Sequence, residues 1–355
     1  MIMDFDQNDN FSGTLPPQGS QSPPPGPIYI PAQAVKPAKR SGWRIFFGIV
    51  LALSIMGNIF LFVTLFGAVA LFATGHGGFL TEEVVRDSSA KAKIAIISVE
   101  GVIHSGLADD VYRQLKTAGE DRNVKGLIVR VNSPGGTVTG SDRIHNEIRK
   151  YRNEKGKPVI AFMEGLAASG GYYTSVACEK IIAEPTTTTG SIGVIYQSFV
   201  VQKLLEDKLG VNPVTVKSGR KKDWGSPFRQ PGPEEIKYIE DKWITPAFDR
   251  FVGIVAEGRK GSLTLDRVKE LADGGIFGAD EALKEKLIDD IGYIDDAIAL
   301  VKSMAGIKEA RVVKYRKPLS LSNLLMSQNA NALKFDGNTL HELGAPQILY
   351  LWSAY

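Results

Sequence analysis

The chain has 355 residues, of which 43% are hydrophobic and 23% are charged, and its formal net charge is +3. This balance is ordinary for a globular protein with one added apolar segment, and it leaves room for one core of about 200 to 250 residues. It gives no indication of nucleic acid as a partner. The single cysteine, Cys178, excludes an intramolecular disulfide and a cysteine-rich metal site.

The N-terminal quarter contains a polar tail and then a long apolar run. Residues 1–42 are rich in Pro, Gly, Ser and Gln, which predicts a disordered tail. The run from Ile45 to Ala73 would be about 43 Å long as a helix, more than the ~30 Å hydrocarbon core of a bilayer. Residues 43–74 are therefore predicted to be a transmembrane signal anchor. A cleavable signal peptide is the alternative, because Ala68-Val-Ala70 resembles a cleavage site, but its apolar region would be shorter.

The charges around this run predict its orientation. Basic side chains cluster before it, at Lys36, Lys39, Arg40 and Arg44, and no basic excess follows it. The positive-inside tendency then predicts a cytoplasmic N-terminus, with the rest of the chain on the periplasmic or extracellular side.

From Lys91 onward the pattern is typical of an α/β protein, and residues 88–316 are predicted to form its catalytic domain. Short apolar strands alternate with amphipathic helices, as parallel strands with helical crossovers require. The predicted strands are 94–99, 126–131, 159–163 and 311–315. The predicted helices are 109–118, 141–153, 169–178, 200–208, 233–259, 265–272, 279–285 and 294–305. Residues 317–355 are predicted to be a C-terminal tail whose apolar end, 347–352, suits a subunit or substrate-groove contact or plain packing.

Ser169 follows a predicted buried strand and is flanked by small residues, in Ala167-Ala-Ser-Gly-Gly-Tyr-Tyr173. Such a strand-to-helix turn exposes a serine hydroxyl, and the first helical N–H groups can stabilise an oxyanion. Ser169 is therefore a candidate nucleophile. The alternative is a helix N-cap followed by glycines that allow close packing.

A second glycine-rich turn, Asn132-Ser-Pro-Gly-Gly136, follows the preceding predicted strand. Its glycines permit backbone conformations that leave N–H groups pointing into a cleft. The oxygen of a carbonyl attacked by Ser169 could then lie between the N–H groups of Gly136 and Gly170. An ordinary Pro-Gly turn is the alternative.

The serine also needs a base. His104 and His145 precede the serine, and we interpret them as surface or packing residues. A lysine kept neutral by burial can replace histidine. The segment Lys217-Ser-Gly-Arg-Lys-Lys-Asp223 offers candidates, although such a basic run is also typical of a solvated loop.

Four motifs together resemble the signal peptide peptidase A family. They are Asn132-Ser-Pro-Gly-Gly136, Ala168-Ser-Gly-Gly-Tyr-Tyr173, Thr189-Gly-Ser-Ile-Gly-Val194 and Lys217-Ser-Gly-x-x-Lys-Asp223. Each motif alone is weak evidence for the family, but four motifs in this order are strong evidence. The resemblance covers about residues 90–310. It implies a Ser-Lys serine protease of the ClpP/crotonase-like fold. The single span and single set of motifs are similar to the short form of the family.

Carried over position by position, the resemblance implies Ser169 as nucleophile and Lys222 as general base. It implies Gly136 and Gly170 as oxyanion-hole donors and Ser191 as the residue that orients the lysine amine. A turn serine is the alternative for Ser191, and the adjacent Lys221 is the open alternative for the base.

The resemblance further implies no cofactor and no metal. It implies a single-pass protein of the bacterial inner membrane, with contacts to the lipid bilayer and with signal peptide remnants and other apolar peptides as substrates. It implies a homo-oligomer in which adjacent protomers share each active site. Two other classes stay open, namely a crotonase-type acyl-CoA enzyme and an inactive membrane scaffold.

Overall fold

The computed structural model describes residues 26, 42–73, 80–317 and 347–352. Most of the polar tail predicted over residues 1–42 therefore lies outside the described residues, as does 318–346 of the C-terminal tail. The chain divides into two compact units, at 1–70 and 71–355, and each is described by itself.

In the first unit the structure describes residue 26 and helix α1, Gly42–Ala73, whose last three residues belong to the second unit. Residues Gly42–Gly67 of this helix form a stretch that is long and apolar enough to cross a membrane. The most apolar part of this stretch is not buried inside the protein. The polar side chains of Asn58 and Thr64 donate to the carbonyl oxygens of Ser54 and Phe60, four residues earlier, at 2.7 and 2.8 Å. These bonds satisfy the polar groups within the helix, which suits them to an apolar surrounding.

The second unit is an α/β layer structure. Its strands are β1 Thr81–Arg86, β2 Lys93–Glu100, β3 Val124–Ser133, β4 Gly135–Thr137, β5 Val159–Ala168, β6 Lys180–Ala183, β7 Thr188–Gly190, β8 Ile195–Gln197, β9 Ile276–Gly278, β10 Asp290–Ile291, β11 Arg311–Arg316 and β12 Gln347–Leu351. Its α-helices are α2 Ser105–Glu120, α3 Val138–Lys155, α4 Gly170–Ser175, α5 Pro233–Ile239, α6 Thr245–Gly258, α7 Leu265–Leu271, α8 Ala279–Lys284 and α9 Ile294–Met304.

The main sheet has the order β1-β11-β2-β3-β5-β6-β10, and every neighbouring pair from β11 to β10 is parallel. Helices α2 and α3 form the crossovers from β2 to β3 and from β3 to β5. Because successive strand residues point to opposite faces, the apolar runs of β2, β3 and β5 feed two separate cores. The expectation of parallel strands joined by helical crossovers is confirmed.

Two helix predictions differ from the structure. The helix predicted over 200–208 is only a π-helical turn, Leu204–Lys208, and this segment has no buried residues to stabilise a longer helix. The helix predicted over 233–259 is divided into α5 and α6 by a π-helical turn, Glu240–Ile244. Pro246 lies in the first turn of α6, where a missing N–H is tolerated.

The ends of the sheet differ from the predicted domain limits. Strand β1 precedes residue 88 and pairs with β11, and β12 lies within the predicted tail. Strand β12 lies between β4 and β8 in a small antiparallel sheet. Beyond the main sheet, β5 continues into a pairing with β7, which in turn pairs with β9. These short strands surround the carboxyl end of β5, where Ser169 lies.

Candidate active site

Ser169 lies between the last residue of β5 and the first residue of α4, and it is almost fully buried. Its φ is 53° and its ψ is −113°. A non-glycine residue held in such a region costs about 1–3 kcal/mol, so its surroundings must fix it. The Ser169 N–H donates to Gly190 O at 2.7 Å, and the Tyr173 N–H donates to Ser169 O at 2.8 Å. The strand-to-helix turn predicted for this serine is present.

The space beside Ser169 depends on two glycines. A Cβ at Gly135 would lie 1.9 Å from Tyr350 O and 2.7 Å from Gly170 N. A Cβ at Gly170 would lie 2.4 Å from Ser141 Oγ and 3.1 Å from Tyr350 O. Gly135 also has a φ of +99°, which side-chain-bearing residues rarely adopt. The backbones at 135, 170 and 350 therefore meet at distances that only glycines permit.

Gly136 is held from its other side by Ile103. The Ile103 N–H donates to Gly135 O at 2.7 Å, and the Thr137 N–H donates to Ile103 O at 2.8 Å. A Cβ at Gly136 would lie 2.0 Å from Ile103 O, so this glycine is also required by close backbone packing. With β4 fixed in this way, the Gly136 N–H faces β12.

The structure brings the two predicted N–H donors to the same carbonyl. Because Gly135 O and the Thr137 N–H are both used by Ile103, the Gly136 N–H faces β12, where Gly136 pairs with Tyr350, and in this ladder it donates to Tyr350 O. The Gly170 N–H belongs to the first turn of α4, where backbone donors have no partner within the helix. The Tyr350 oxygen therefore contacts Gly136 and lies against Gly170, directly beside Ser169.

Ser191 lies close to Ser169 through strand pairing. Ala168 pairs with Gly190, and the two serines each follow one of these residues. Ser191 is buried, has a φ of 49°, and donates its N–H to Gly275 O at 2.6 Å. It also lines a cavity of about 390 Å³ together with Gly274, Leu351 and other residues. The site thus has room for a further side chain on the Ser191 side.

Lys222 is not part of this arrangement within one chain. It is exposed, and its backbone N–H donates to Gly219 O of its own loop at 3.0 Å. Among the residues that the structure describes, no hydrogen bond joins its side chain to Ser169. Three of the four sequence motifs lie close together in the structure, at residues 132–136, 168–173 and 189–194. The fourth motif, 217–223, forms a loop elsewhere.

The two adjacent lysines differ in their contacts. The Lys221 ammonium lies 4.0 Å from the ring centroid of Tyr238 and 4.9 Å from that of Trp224. These cation–π contacts hold the Lys221 side chain against the two rings. Among the residues that the structure describes, Lys222 makes no cation–π contact with either ring.

Asp223 anchors the lysine loop. It receives Lys217 Nζ at 2.6 Å and Arg229 Nε at 3.0 Å, and Arg229 also pairs with the buried Glu235 at 2.7 Å. The hydrogen bond from Lys217, together with the nearby guanidinium of Arg229, lowers the pKa of Asp223. Asp223 therefore stays ionised and holds both ends of the loop that presents Lys222.

The two histidines have structural contacts. His104 is the N-cap of α2, and its Nδ1 accepts the Gly106 N–H at 3.1 Å. His145 is buried, with its ring 5.4 Å from that of Tyr173 in an edge-to-face contact. Burial lowers the pKa of His145 to about 4, so this imidazole is neutral at physiological pH.

Sequence reasoning missed two contributors to the site. Gly135 was grouped with Gly136 in one turn, and its tight contact with Tyr350 depends on a segment more than 200 residues away. Tyr350 itself lies in the apolar run 347–352, for which a groove contact was one alternative. The apolar composition was the available signal, but it does not specify which residue lies beside Ser169.

Comparisons with known proteins identify related chains. A model described as Peptidase family S49 matches residues 151–308, and one described as Clp protease matches 81–189. A provisionally named signal peptide peptidase SppA of Enterococcus faecium is 40% identical over 248 residues, which cover 67% of this chain and 71% of the relative. Both family matches contain Ser169, and the first also contains Lys222. With the mostly parallel sheet, the Clp protease match confirms the predicted ClpP-like fold class.

More distant relatives are longer than this chain. Serine protease SPPA, chloroplastic, of Arabidopsis thaliana is 34% identical over 235 residues, which cover 65% of this chain and 34% of the relative. Protease 4 of Haemophilus influenzae is 34% identical over 231 residues, which cover 62% of this chain and 36% of the relative. The chain thus spans about a third of the length of these two proteins.

Proposed function

Because this chain belongs to peptidase family S49, the family of signal peptide peptidase A, we propose that it is a membrane-anchored serine endopeptidase with a Ser169–Lys222 pair. Family membership makes it a serine-type protease. Its proposed substrates are signal peptide remnants and other apolar peptides, in keeping with the name of the Enterococcus faecium relative. The observation that carries the proposal is the position of one carbonyl, Tyr350 O, against Gly136 and Gly170 beside Ser169.

Ser169 is the proposed nucleophile, and the N–H groups of Gly136 and Gly170 are the proposed oxyanion hole. Its backbone lies in a strained region beside a helix N-terminus, as in other nucleophilic turns between a strand and a helix. Backbone donors fixed by their own packing need no reorganisation when charge develops, which makes them effective in catalysis.

Lys222 of an adjacent protomer is the proposed base. Its exposure in one chain, and its location on a loop anchored through Asp223, suit a group that acts on a neighbouring subunit. The cavity of about 390 Å³ beside Ser191 is the proposed entry for its side chain, and the Ser191 hydroxyl is the proposed orienting partner for its amine. Transfer into this cavity would remove water from the amine and favour its neutral form.

The proposed reaction is an acyl transfer in two steps. Neutral Lys222 Nζ takes the proton of Ser169 Oγ, a bond forms from Oγ to the peptide carbonyl carbon, and the oxyanion accepts hydrogen bonds from Gly136 and Gly170. The lysine proton passes to the leaving nitrogen as the C–N bond breaks. Water then attacks the ester carbonyl, gives a proton back through Lys222, and releases a carboxylate and the free serine.

Helix α1 is the proposed anchor in the bacterial inner membrane. It contains a stretch of 26 residues that is long and apolar enough to span a bilayer. The basic residues before this stretch favour a cytoplasmic N-terminus. The catalytic domain, proposed as residues 88–316, would then act on the periplasmic or extracellular side. Tethering to the lipid bilayer raises the local concentration of membrane-bound peptides.

The first experiment tests the nucleophile in the detergent-solubilised full-length protein. Wild-type protein should cleave an apolar peptide and should be labelled by a serine-directed acylating probe at Ser169, as located by peptide mapping. Ser169→Ala should lose both activities by at least about 10³-fold, with unchanged oligomer size. Cleavage that persists in Ser169→Ala would remove the assignment.

The second experiment tests the base and its origin. Lys222→Ala should lose activity, whereas Lys221→Ala, its matched neighbour, should keep it. Mixing Ser169→Ala with Lys222→Ala chains before assembly should restore about one quarter of the sites, because an intact serine and an intact lysine then meet across a subunit boundary. Mixed assemblies without activity would place both groups in the same chain, and the reverse pattern for the two lysines would make Lys221 the base.

A further inference from the structure

Two residues that precede Lys222 contact helix α5 at the protein surface. Arg220 donates to both carboxylate oxygens of Glu234, at 2.9 and 2.6 Å. The Lys221 ammonium lies 4.0 Å from the ring centroid of Tyr238. Both Glu234 and Tyr238 belong to α5. The basic run that ends in Lys222 is thus attached to this helix through its first two members.

A buried carboxylate of the same helix holds the part of the loop that follows Lys222. Glu235 is the buried residue of α5, and its side chain is only 3% exposed. It accepts a hydrogen bond from the Gly225 N–H and pairs with Arg229 Nη2 at 2.7 Å. Arg229 in turn donates to the carboxylate of Asp223 at 3.0 Å and to its backbone oxygen at 2.9 Å. A buried carboxylate is costly without such partners, so the loop and the helix stabilise each other.

These contacts leave Lys222 in a different situation from its neighbours. The two residues before it are held by α5, and Asp223 after it is held by Arg229. In the described part of the chain, no ion pair, side-chain hydrogen bond or cation–π contact involves the Lys222 ammonium. Its backbone N–H donates to Gly219 O at 3.0 Å. The backbone of Lys222 is therefore fixed, while its amine stays available for a group outside the chain.

We propose that Glu235 is a positioning residue for the proposed base, and that it acts through Arg229 and the Gly225 N–H to direct Lys222 toward the serine of a neighbouring protomer. This inference rests on the proposed function of Lys222. A flexible lysine reaches its target in the right geometry only if its backbone is well placed, because a shift of about 1 Å can cost about 10²-fold in rate. Glu235 lies outside the motif 217–223, which therefore did not indicate it.

The first test is kinetic and uses detergent-solubilised full-length protein with an apolar peptide. Glu235→Gln supplies one oxygen where the carboxylate supplies two, so the Gly225 N–H or Arg229 must face an amide NH2 group. We expect kcat to fall by at least about tenfold and KM to stay within about threefold, because the base acts in the chemical step. In a Lys222→Ala background, the same change should lower the residual rate by less than about twofold. A wild-type kcat in Glu235→Gln, or an undiminished loss in that background, would overturn the inference.

Asp289→Asn is the matched control. Asp289 also joins a guanidinium to a backbone N–H, since it accepts from Arg259 at 2.7 Å and from the Ile181 N–H at 2.8 Å. Its partners belong to β6 and to the end of α6, not to the lysine loop. The control should lose comparable stability in thermal unfolding and keep kcat within about threefold. An equal fall of kcat in both variants would reveal a general loss of folded protein and would contradict a positioning role.

Mixed assemblies test whether Glu235 acts on the lysine of its own chain. In one mixture Glu235→Gln is added to the Ser169→Ala chain, which supplies the lysine, and in the other it is added to the Lys222→Ala chain, which supplies the serine. Relative to the mixture without Glu235→Gln, the first should lose at least about tenfold in activity and the second should stay within about twofold. Equal losses would refute the inference. If the mixture without Glu235→Gln were itself inactive, the shared site of the proposed function would fail, and the kinetic test above would decide the role of Glu235.

Hydrogen exchange measures the hold on the loop without any catalysis. Peptides that cover residues 217–226 should exchange at least about tenfold faster in Glu235→Gln than in wild-type protein, and at the wild-type rate in Asp289→Asn. Faster exchange with an unchanged kcat, together with an inactive Lys222→Ala protein, would overturn the positioning role and leave the proposed function intact. An active Lys222→Ala protein would instead remove the proposed base, and the positioning role with it.

Discussion

Replacement of Gly135 by alanine tests whether close backbone approach creates the oxyanion hole. At Gly135 the new Cβ would meet Tyr350 O at 1.9 Å and Gly170 N at 2.7 Å, and both atoms belong to the backbone. Neither can rotate away, so β12 or the first turn of α4 must move. Displacing a single oxyanion donor lowers kcat by about 10²–10³-fold. The φ of +99° adds about 1–3 kcal/mol of strain to the folded state.

Gly156 supplies the matched control. Its φ is +58°, also in the region that disfavours side chains, but nothing lies within 4 Å of an added Cβ. Gly156→Ala should therefore lower the free energy of unfolding by about 1 kcal/mol and leave kcat within about twofold. Both proteins would be compared by peptide cleavage and by denaturant unfolding of the purified oligomer. A kcat of Gly135→Ala within about threefold of that of Gly156→Ala would contradict this prediction. It would show that the close backbone contacts of Gly135 are not needed to form the oxyanion hole.

Three further predictions concern stability. Burial lowers the pKa of His145 to about 4. Below pH 6.5 the imidazole therefore binds a proton in the unfolded chain but stays neutral in the folded chain. The free energy of unfolding should fall by about 3 kcal/mol between pH 6.5 and 4. His145→Gln should flatten this acid limb in denaturant unfolding at several pH values, and an unchanged limb would contradict it. Arg259→Met removes the 2.7 Å partner of Asp289, which keeps Lys180 and the Ile181 N–H, and should cost about 1–3 kcal/mol, against well under 1 kcal/mol for exposed Arg220→Met. Tyr172→Phe removes the 2.8 Å bond to Leu287 O and should cost about 1–3 kcal/mol by thermal unfolding, and a smaller loss would show that water replaces it.

The long periodic segments were predictable from the sequence because their signal is local. Apolar runs identified the central strands β2, β3 and β5, and the amphipathic pattern identified α2 and α3, with boundaries that differ by a few residues. Strands β4, β7, β8 and β9 have three residues each, too few for a period to show. Their extended conformation comes from pairing partners elsewhere in the chain.

In the candidate site, too, local sequence patterns indicated residues but not the distances between them. Local glycine-rich motifs indicated Ser169, Gly136 and Gly170, the family resemblance added Ser191, and the structure brings the surroundings of all four together. Their catalytic roles stay predictions. Lys222 was selected by a motif that says nothing about distance, and in one chain it is exposed and apart from the serine.

The sequence by itself determined the residue types available for chemistry, the apolar span, and the alternation that makes a parallel sheet, because each depends on neighbours along the chain. Only the tertiary structure decided that Tyr350 fills a pocket between Tyr173 and Phe251, and that its carbonyl meets Gly136. Those contacts join segments about 100 to 214 residues apart, and their geometry follows from packing and strand register, which no local pattern encodes.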